Sequence, residues 1–299
     1  MGQEVSFNFR PLQMRDASWE VGLQWARNDN RVVSLAGAQF VFLPGGFEGS
    51  SAAAVTGSRV GVIYGTDFIR CGRGIVDPVE GNIDALCGTG APKDAVYLAA
   101  DGYPRTDVTN RVIGDPSPKW TGSVRTSFQY KKWQLSGLLD VSHGGQKWNG
   151  TKGALYQFGT HKDTEIRGQT RTFGVDYYTQ YQFAGPGKNV PVLIDQANWF
   201  QAEGSGFNGP SSQFVEDAGW VKLREVSLGY TLDNDWVRNT LGLNSIDVRV
   251  SGRNLVTWTN YTGIDPESTL EGAEIGYRGS DYFNHPQTRS FVFTLVLNR

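Results

Sequence analysis

Two pairs of residues have the types and the spacing that acid–base or nucleophilic chemistry would need. Asp265 and Glu267 form a carboxylate pair in the segment IDPES, and Asp140 precedes His143 at the end of a predicted strand. Glycoside hydrolysis depends on a set separation of two carboxylates, whereas turn formation around Pro266 explains the first pair more simply. No serine is placed as a partner for His143. We therefore predict that the chain is not an enzyme.

Metal, cofactor and nucleic-acid binding find no support in the composition. The three histidines, His143, His161 and His285, have no His or Cys partner at a ligand spacing. The glycine-rich segment 202–212 does not follow a strand and open a helix, as a phosphate-binding loop does. A formal net charge of -2 gives no electrostatic reason to expect nucleic acid. We predict no metal site, no cofactor and no nucleic-acid partner.

The two cysteines, Cys71 and Cys87, lie in one glycine-rich stretch. A disulfide between them would close a loop of moderate length, and it would require an oxidising compartment. Two unpaired thiols are the alternative. The shared stretch favours the disulfide.

The elements that would position these residues are strands, because apolar residues recur at alternate positions in about seven segments. Between Trp120 and Tyr130 the even positions are mostly apolar and the odd positions are polar. Several segments reach the roughly nine to eleven residues of a membrane-spanning strand, beyond the five or six usual in soluble domains. The predicted strands lie at residues 5–10, 19–25, 120–130, 133–142, 225–230, 247–258 and 290–297.

The connections between the predicted strands alternate between short and long. Outer-membrane barrels have short periplasmic turns and long extracellular loops, so the alternation predicts a transmembrane barrel segment with an apolar face towards lipid. A helical membrane protein is excluded because no run of about 18 apolar residues occurs. The short connections are 14–18, 130–132 and 233–244, and the long ones are 29–118, 143–216 and 259–285.

The stretches at 114–140, 220–232, 250–268 and 285–297 resemble the C-terminal part of SusC/RagA-type TonB-dependent outer-membrane transporters. A weaker similarity, VTGSRVGVIYGTDF at 55–68, precedes them. One departure is the C-terminus, where Leu297, Asn298 and Arg299 stand in place of the usual terminal aromatic residue. The four stretches are GDPSPKWTGSVRTSFQYKKWQLSGLLD at 114–140, WVKLREVSLGYTL at 220–232, VSGRNLVTWTNYTGIDPES at 250–268 and HPQTRSFVFTLVL at 285–297.

The resemblance implies an all-β antiparallel fold in which about seven strands belong to a barrel of about 22. Residues 1–299 are then the C-terminal portion of that barrel, with the plug domain and the N-terminal strands absent. An odd strand count with two open edges agrees with a fragment. The implied function is import of oligosaccharides or peptides across the bacterial outer membrane. The implied partners are a SusD-like lipoprotein and, through the missing N-terminal region, the TonB complex.

Two groups of residues are candidates for contact with a substrate. Inward-facing arginines could bind a polar solute, although ladders between neighbouring strands are the commoner use of such residues. Loop aromatics could stack on sugar rings, with loop packing or partner contact as the alternative. The arginines are Arg125, Arg249 and Arg253, and the aromatics are Trp148, Tyr156, Trp199 and Tyr261.

The same alternation has an alternative interpretation, a soluble β-sandwich such as a carbohydrate-binding module. A sandwich buries one face of each sheet against the other, whereas a membrane barrel turns its apolar face to lipid. The exposure of the apolar face therefore separates the two folds.

Overall fold

The computed structural model of the chain describes residues 1–47, 50–270 and 278–299. Within them the largest element is a seven-stranded antiparallel sheet, which we call the wall, with its strands side by side in chain order. The predicted strands and their antiparallel arrangement are thereby confirmed. The wall strands are β1 (Gly2–Gln13), β2 (Ala17–Asn28), β3 (Trp120–Tyr130), β4 (Trp133–His143), β5 (Trp220–Leu232), β6 (Ser245–Thr259) and β7 (Ser290–Asn298).

The pairing register gives the wall two chemically different faces. Residues directly opposite each other on neighbouring strands point to the same side of a sheet. One row on the outer face is apolar across six strands, and one row on the inner face is a run of hydroxyls across four. The outer row is Phe7, Leu23, Val124, Leu139, Leu223 and Val256, and the inner row is Ser127, Ser136, Ser227 and Ser251.

β5 contains an irregularity that changes which of its residues face inwards. Its register against both neighbours shifts around Arg224, as a β-bulge with one extra residue produces. Beyond the bulge the odd-numbered Glu225 faces inwards, whereas before it the even-numbered Lys222 does, as its contacts below establish. β6 has its own irregular residue opposite, Asn254, with φ +50°, a conformation that asparagine tolerates better than most residues.

The three long connections leave the wall at one end and fold together into a unit that we call the cap, formed by the described parts of residues 29–119, 144–219 and 260–289. Its largest sheet has four antiparallel strands, Phe40–Phe47, Ser50–Val55, Val62–Phe68 and Thr106–Gly114. Its helices are α1 (Ile83–Cys87), α2 (Gly150–Gln157), two 3-10 turns (Lys162–Ile166 and Ser211–Phe214) and a π-turn (Gln196–Phe200). The remaining short strands are Val76–Asp77, Gly81–Asn82, Val96–Tyr97, Gln146–Asn149, Gln169–Arg171, Phe183–Ala184, Val192–Ile194, Val215–Asp217 and Ser280–Asp281.

The three short connections lie at the opposite end of the wall, and the last of them contains α3 (Asp235–Leu241). Its N-terminal turn is closed by Asn234, whose side chain accepts a hydrogen bond from the Val237 backbone N–H at 3.0 Å. It ends at Gly242 with φ +65°, the left-handed conformation that favours glycine after a helix. The predicted alternation of short and long connections is therefore present.

The buried apolar side chains lie in the cap and at the short-turn end. No apolar residue of the described wall strands is fully buried. Thirteen residues form the main core of the cap, among them Trp148, Phe173, Trp199 and Phe200. The long connections therefore fold around a core of their own, whereas the sequence predicts them only as long loops. None of the described helices is long and apolar enough to span a membrane.

Candidate functional site

The four loop aromatics predicted to stack on a substrate are buried in the structure. Trp148 and Trp199 have no exposed surface, and Tyr156 and Tyr261 are only 6% and 5% exposed. A buried ring presents no free face to a sugar. Loop packing, which was the alternative for these residues, is what the structure contains.

The contacts of three of these rings, Trp199, Tyr156 and Tyr261, explain their burial. The Trp199 indole N–H donates to the Tyr177 hydroxyl at 2.8 Å, and the Phe173 ring packs against Trp199 edge to face with the centroids 4.9 Å apart. The Tyr156 and Tyr261 hydroxyls donate to carboxylates of the cap at 2.5 Å. A long connection that carries so many aromatics buries them to form its own core.

The two cysteines are joined in the structure by a disulfide. It lies beside a small second core of the cap that contains Ile69, Ile83 and Tyr97. Within the same segment, the Asp84 carboxylate accepts hydrogen bonds from the backbone N–H groups of Gly72 and Gly74, at 2.6 and 2.9 Å. The cysteine loop is therefore held by both covalent and polar contacts.

The three arginines predicted to face inwards are all on the inner face of the wall. Arg253 pairs with Glu225 at 3.3 Å, and the Arg249 guanidinium donates to the Gln134 amide oxygen at 3.2 Å. These two form the ladders between strands that were the alternative for them. Arg125 is exposed on β3 and lies in the same cross-strand row as Glu225 and Arg253, with Leu138 between.

A cluster that sequence reasoning missed joins the wall to the cap, and we call it the latch: Lys222, Arg224, Asp140, Asp265 and Glu267. The Lys222 ammonium donates to Asp265 and to Glu267, at 2.8 Å each. Arg224 donates to Asp140 at 2.8 Å and to Glu267 at 2.6 Å. Lys222 is almost fully buried, so its charge depends on these partners. The latch therefore fastens the IDPES segment to β5.

A second buried lysine, Lys147, holds the same segment from the cap side. Its ammonium donates to the backbone carbonyls of Pro266 and Ser268, at 2.7 and 2.5 Å. Burial lowers the pKa of Lys147 to about 8, although the charges of Asp281 and Asp265 act in the opposite direction. Residues 265–268 are thus enclosed by three cationic side chains, counting those of Lys222 and Arg224.

Two of the latch carboxylates, Asp265 and Glu267, have pKa values below their ordinary range. Burial alone would raise the pKa of Asp265, but hydrogen bonds from Lys222 and from the Glu267 and Gln287 backbone N–H groups outweigh it. Burial also acts to raise the pKa of Glu267, and hydrogen bonds from Arg224 and Lys222 outweigh it. Both carboxylates are therefore charged at neutral pH, and the charged form stabilises the docked segment.

We expect acid to release residues 265–268 from the wall. A carboxyl group whose pKa is lowered in the folded state stabilises it above its unfolded pKa of about 4, and this stabilisation is lost as pH falls towards the folded pKa. Hydrogen-exchange protection of 265–268, corrected for the intrinsic pH dependence, should decline from about pH 5 downwards. The strand Val192–Ile194, held by backbone pairing, is the control. Unchanged protection of 265–268 between pH 7 and pH 3 would contradict the mechanism.

The residues considered for chemistry all have structural partners. Asp140 is held by Arg224, and the His143 ring stacks on Trp120 with the centroids 5.2 Å apart. Asp265 also accepts the backbone N–H of Glu267 at 3.0 Å, which is the turn contact that the sequence suggests. Within residues 1–47, 50–270 and 278–299, no cluster of His, Cys, Asp and Glu is arranged to hold a metal ion.

No family model matches the chain. Among curated proteins it is similar to TonB-dependent receptors of Formosa agariphila. TonB-dependent receptor P3 is 26% identical over 303 residues, covering 98% of this chain and 28% of the relative. TonB-dependent receptor P26 is 24% identical over 309 residues, covering 99% of this chain and 28% of the relative. The chain thus spans less than a third of the length of the curated relatives it matches.

Among solved structures the chain is similar to the RagAB peptide importer. The closed-closed state matches with a TM-score of 0.59 and 17% identity, over 99% of this chain and 29% of that one. The open-open state matches with a TM-score of 0.60 and 15% identity, over 100% of this chain and 28% of that one. The chain therefore shares the fold of the corresponding segment of the RagAB importer. The predicted resemblance to SusC/RagA-type TonB-dependent transporters is confirmed.

Proposed function

We propose that the protein to which this chain belongs imports oligomeric nutrients, oligosaccharides or peptides, across the bacterial outer membrane in a TonB-dependent manner. Residues 1–299 supply its C-terminal barrel strands and its extracellular cap. The likeness to receptors and importers over almost the whole chain supports this role. The plug domain and the contact with the TonB complex then belong to the N-terminal region of the full protein.

The observation that carries the proposal is the exposed apolar outer face of the wall. Its side chains are accessible on every strand; Phe7, Leu135, Leu228, Val250 and Phe293 are each about half exposed or more. An apolar surface of this extent is unfavourable in water and fits the hydrocarbon of a bilayer. A soluble β-sandwich would cover this face with a second sheet, and no described part of the chain lies over it.

The arrangement of connections supports an orientation in the membrane. The short-turn end with α3 faces the periplasm, and the cap faces outwards, as in barrels of this type. A SusD-like lipoprotein then meets the cap from outside. Trp120 and Trp258 at the cap end, with Tyr130 and Trp133 at the turn end, lie where interfacial aromatic residues anchor a barrel.

We expect Val250→Arg to impair assembly of the full protein in the outer membrane. Val250 lies mid-strand on the outer face, opposite Leu228 and Phe293. An arginine there would face lipid near the bilayer midplane, at a cost of about 2–4 kcal/mol. The heat-modifiable folded band in outer-membrane fractions measures assembly. The neighbouring Arg249→Val on the inner face is the matched control and should assemble normally. Equal effects of the two variants would refute the assignment of faces.

Import is tested by growth and uptake in the source bacterium. A strain that lacks the full gene should lose growth on one class of oligomer, either peptides or glycans, that is too large for passive porins. The intact gene should restore it, and dissipation of the proton gradient should abolish uptake. Normal growth of the deletion strain on every oligomer supplied would count against the proposal.

A further inference from the structure

Lys147 differs from Lys222, the other buried lysine of this region, in what surrounds its charge. The Lys222 ammonium faces two carboxylates of the latch at 2.8 Å each. The Lys147 ammonium instead donates to the backbone carbonyls of Pro266 and Ser268, and it forms no ion pair with a carboxylate among the described residues. Lys147 is only 3% exposed. Its positive charge is therefore buried without a counter-charge in contact, which is unfavourable.

The hydrogen bonds of Lys147 do not require its charge. An ammonium group has three N–H donors, and a neutral amine still has two. The two carbonyls of Pro266 and Ser268 need only two. The Tyr261 ring favours a cation, but its centroid is 5.8 Å from the ammonium nitrogen, near the limit of that attraction. The neutral form of Lys147 therefore satisfies the site without the cost of a buried charge.

Several charged groups face Lys147, and burial outweighs those that favour its charge. Burial lowers the pKa of Lys147 to about 8, whereas the nearby carboxylates act to raise it and the Lys222 ammonium acts in the same direction as burial. The Tyr261 hydroxyl donates to one of these carboxylates, and burial raises its pKa. Lys147 therefore changes its charge around pH 8, where the two latch carboxylates of the segment are already ionised. The carboxylates that face Lys147 are Asp281, Asp265 and Glu267.

The enclosure of Lys147 comes from residues of this chain alone. Its strand, Gln146–Asn149, is paired on one side with Val215–Asp217 and on the other with Ser280–Asp281, so the side chain is fixed in position. With 3% of its surface exposed, Lys147 leaves no open side from which another part of the full protein could bring a counter-charge. Further strands or a plug domain would add to the burial. The uncompensated charge is thus a property of the site itself.

We propose that Lys147 makes the attachment of residues 265–268 a pH-sensitive switch: the docked segment holds the neutral amine, and protonation of this amine loosens the third long connection. Docking then releases a proton from Lys147 to the solvent. A lysine that binds its proton less tightly in the docked state strengthens docking as pH rises from the docked towards the free pKa. The carboxylates of the latch act in the same direction but below about pH 5, so the two steps are separate.

The test is hydrogen exchange of residues 265–268 in the purified full-length protein in detergent, at pH 7 and pH 9, corrected for the intrinsic pH dependence. Protection should rise about tenfold, as follows from a pKa of about 8 when docked and of about 10.4 when free. Lys147→Gln keeps a donor without a titrating group and should abolish the rise. Lys147→Arg keeps the charge and should weaken protection at both pH values, also without a rise.

Two controls accompany these variants. Lys152→Gln changes a lysine of the same region whose charge has a carboxylate partner, Glu216 at 3.2 Å, and it should leave the rise intact. The strand Val192–Ile194, held by backbone pairing, should show no rise in any variant.

Two results would overturn the proposal. The first is equal protection of 265–268 at pH 7 and pH 9 in the wild type, since Lys147 would then keep its charge when docked. The second is a rise that survives Lys147→Gln, since another group would then be responsible. If both Lys147 variants lose the fold of the cap, the profile of the wild type decides. Protection that is level from pH 6 to 7.5 and rises from about pH 8 supports the switch, and an even rise from pH 6 refutes it.

Discussion

Replacing Trp199 by alanine should destabilise the cap by about 3–5 kcal/mol, the usual cost of truncating a large buried aromatic side chain. The Trp199 ring is fully buried and packs against Phe173, Tyr103 and Tyr178 with centroids 4.9 to 6.4 Å apart. Gly204 lies against the ring so closely that it has no room for a Cβ. Both the packing and the hydrogen bond to Tyr177 would be lost.

Hydrogen exchange of the cap in the purified full-length protein measures this change, because exchange reports the free energy of local opening. Protection should fall across the segments that share the Trp199 core, while the wall strands retain theirs. Phe158→Ala is the matched control, since this aromatic residue of the same region is 65% exposed. Weakened substrate binding with unchanged cap protection in Trp199→Ala would restore a direct stacking role to Trp199.

The wall was predictable from the sequence because the alternation of apolar and polar residues can be recognised within each strand by itself. A residue such as Val124 lies on the apolar face of the wall and its neighbour Arg125 on the polar face, and the same alternation recurs along each strand. The same rule places Val250 and Arg249 on opposite faces. Length and turn chemistry then set the order of the strands, which pair with their sequence neighbours.

The cap was not predictable in the same way because its core is assembled from distant residues. Trp148, for example, pairs its strand with Val215 on one side and Ser280 on the other. No periodic pattern in the sequence links three such segments. The sequence therefore could not show whether the aromatic residues of the long connections are buried or exposed. Aromatic residues in long connections indicate a core as readily as a binding surface.

The latch illustrates a third case, in which a local signal is present but has two meanings. Lys222 and Arg224 occupy even positions in a strand whose odd position Glu225 also faces inwards, and this change of parity marks a bulge. From the sequence alone it equally marks the end of the regular strand. Only the partners Asp265 and Glu267, some forty residues later, make the bulge necessary.

Replacing Lys222 by alanine should weaken attachment of residues 265–268 to the wall by about 3–5 kcal/mol, since one partner of a buried ion pair would remain without its counter-charge. The Lys222 ammonium has 3% exposure, and the Asp265 carboxylate that it neutralises has 9%. Arg224 cannot substitute, because its donors are already engaged by Asp140, Glu267 and Gln287. Loss of hydrogen-exchange protection at 265–268 measures the effect.

Two further variants separate the buried charge from the ion pair itself. Lys132→Ala removes the lysine of an exposed pair with Asp233 and should leave the protection of 265–268 unchanged, because solvent screens such pairs. The double variant Lys222→Met with Asp265→Leu should recover most of the protection, since it leaves no unpaired charge in the site. If the double variant is as damaging as Lys222→Ala, the segment is held by the specific geometry of the ion pair and its turn. If Lys222→Ala itself is harmless, Lys147 alone holds the segment through the carbonyls of Pro266 and Ser268, and the latch has no mechanical role.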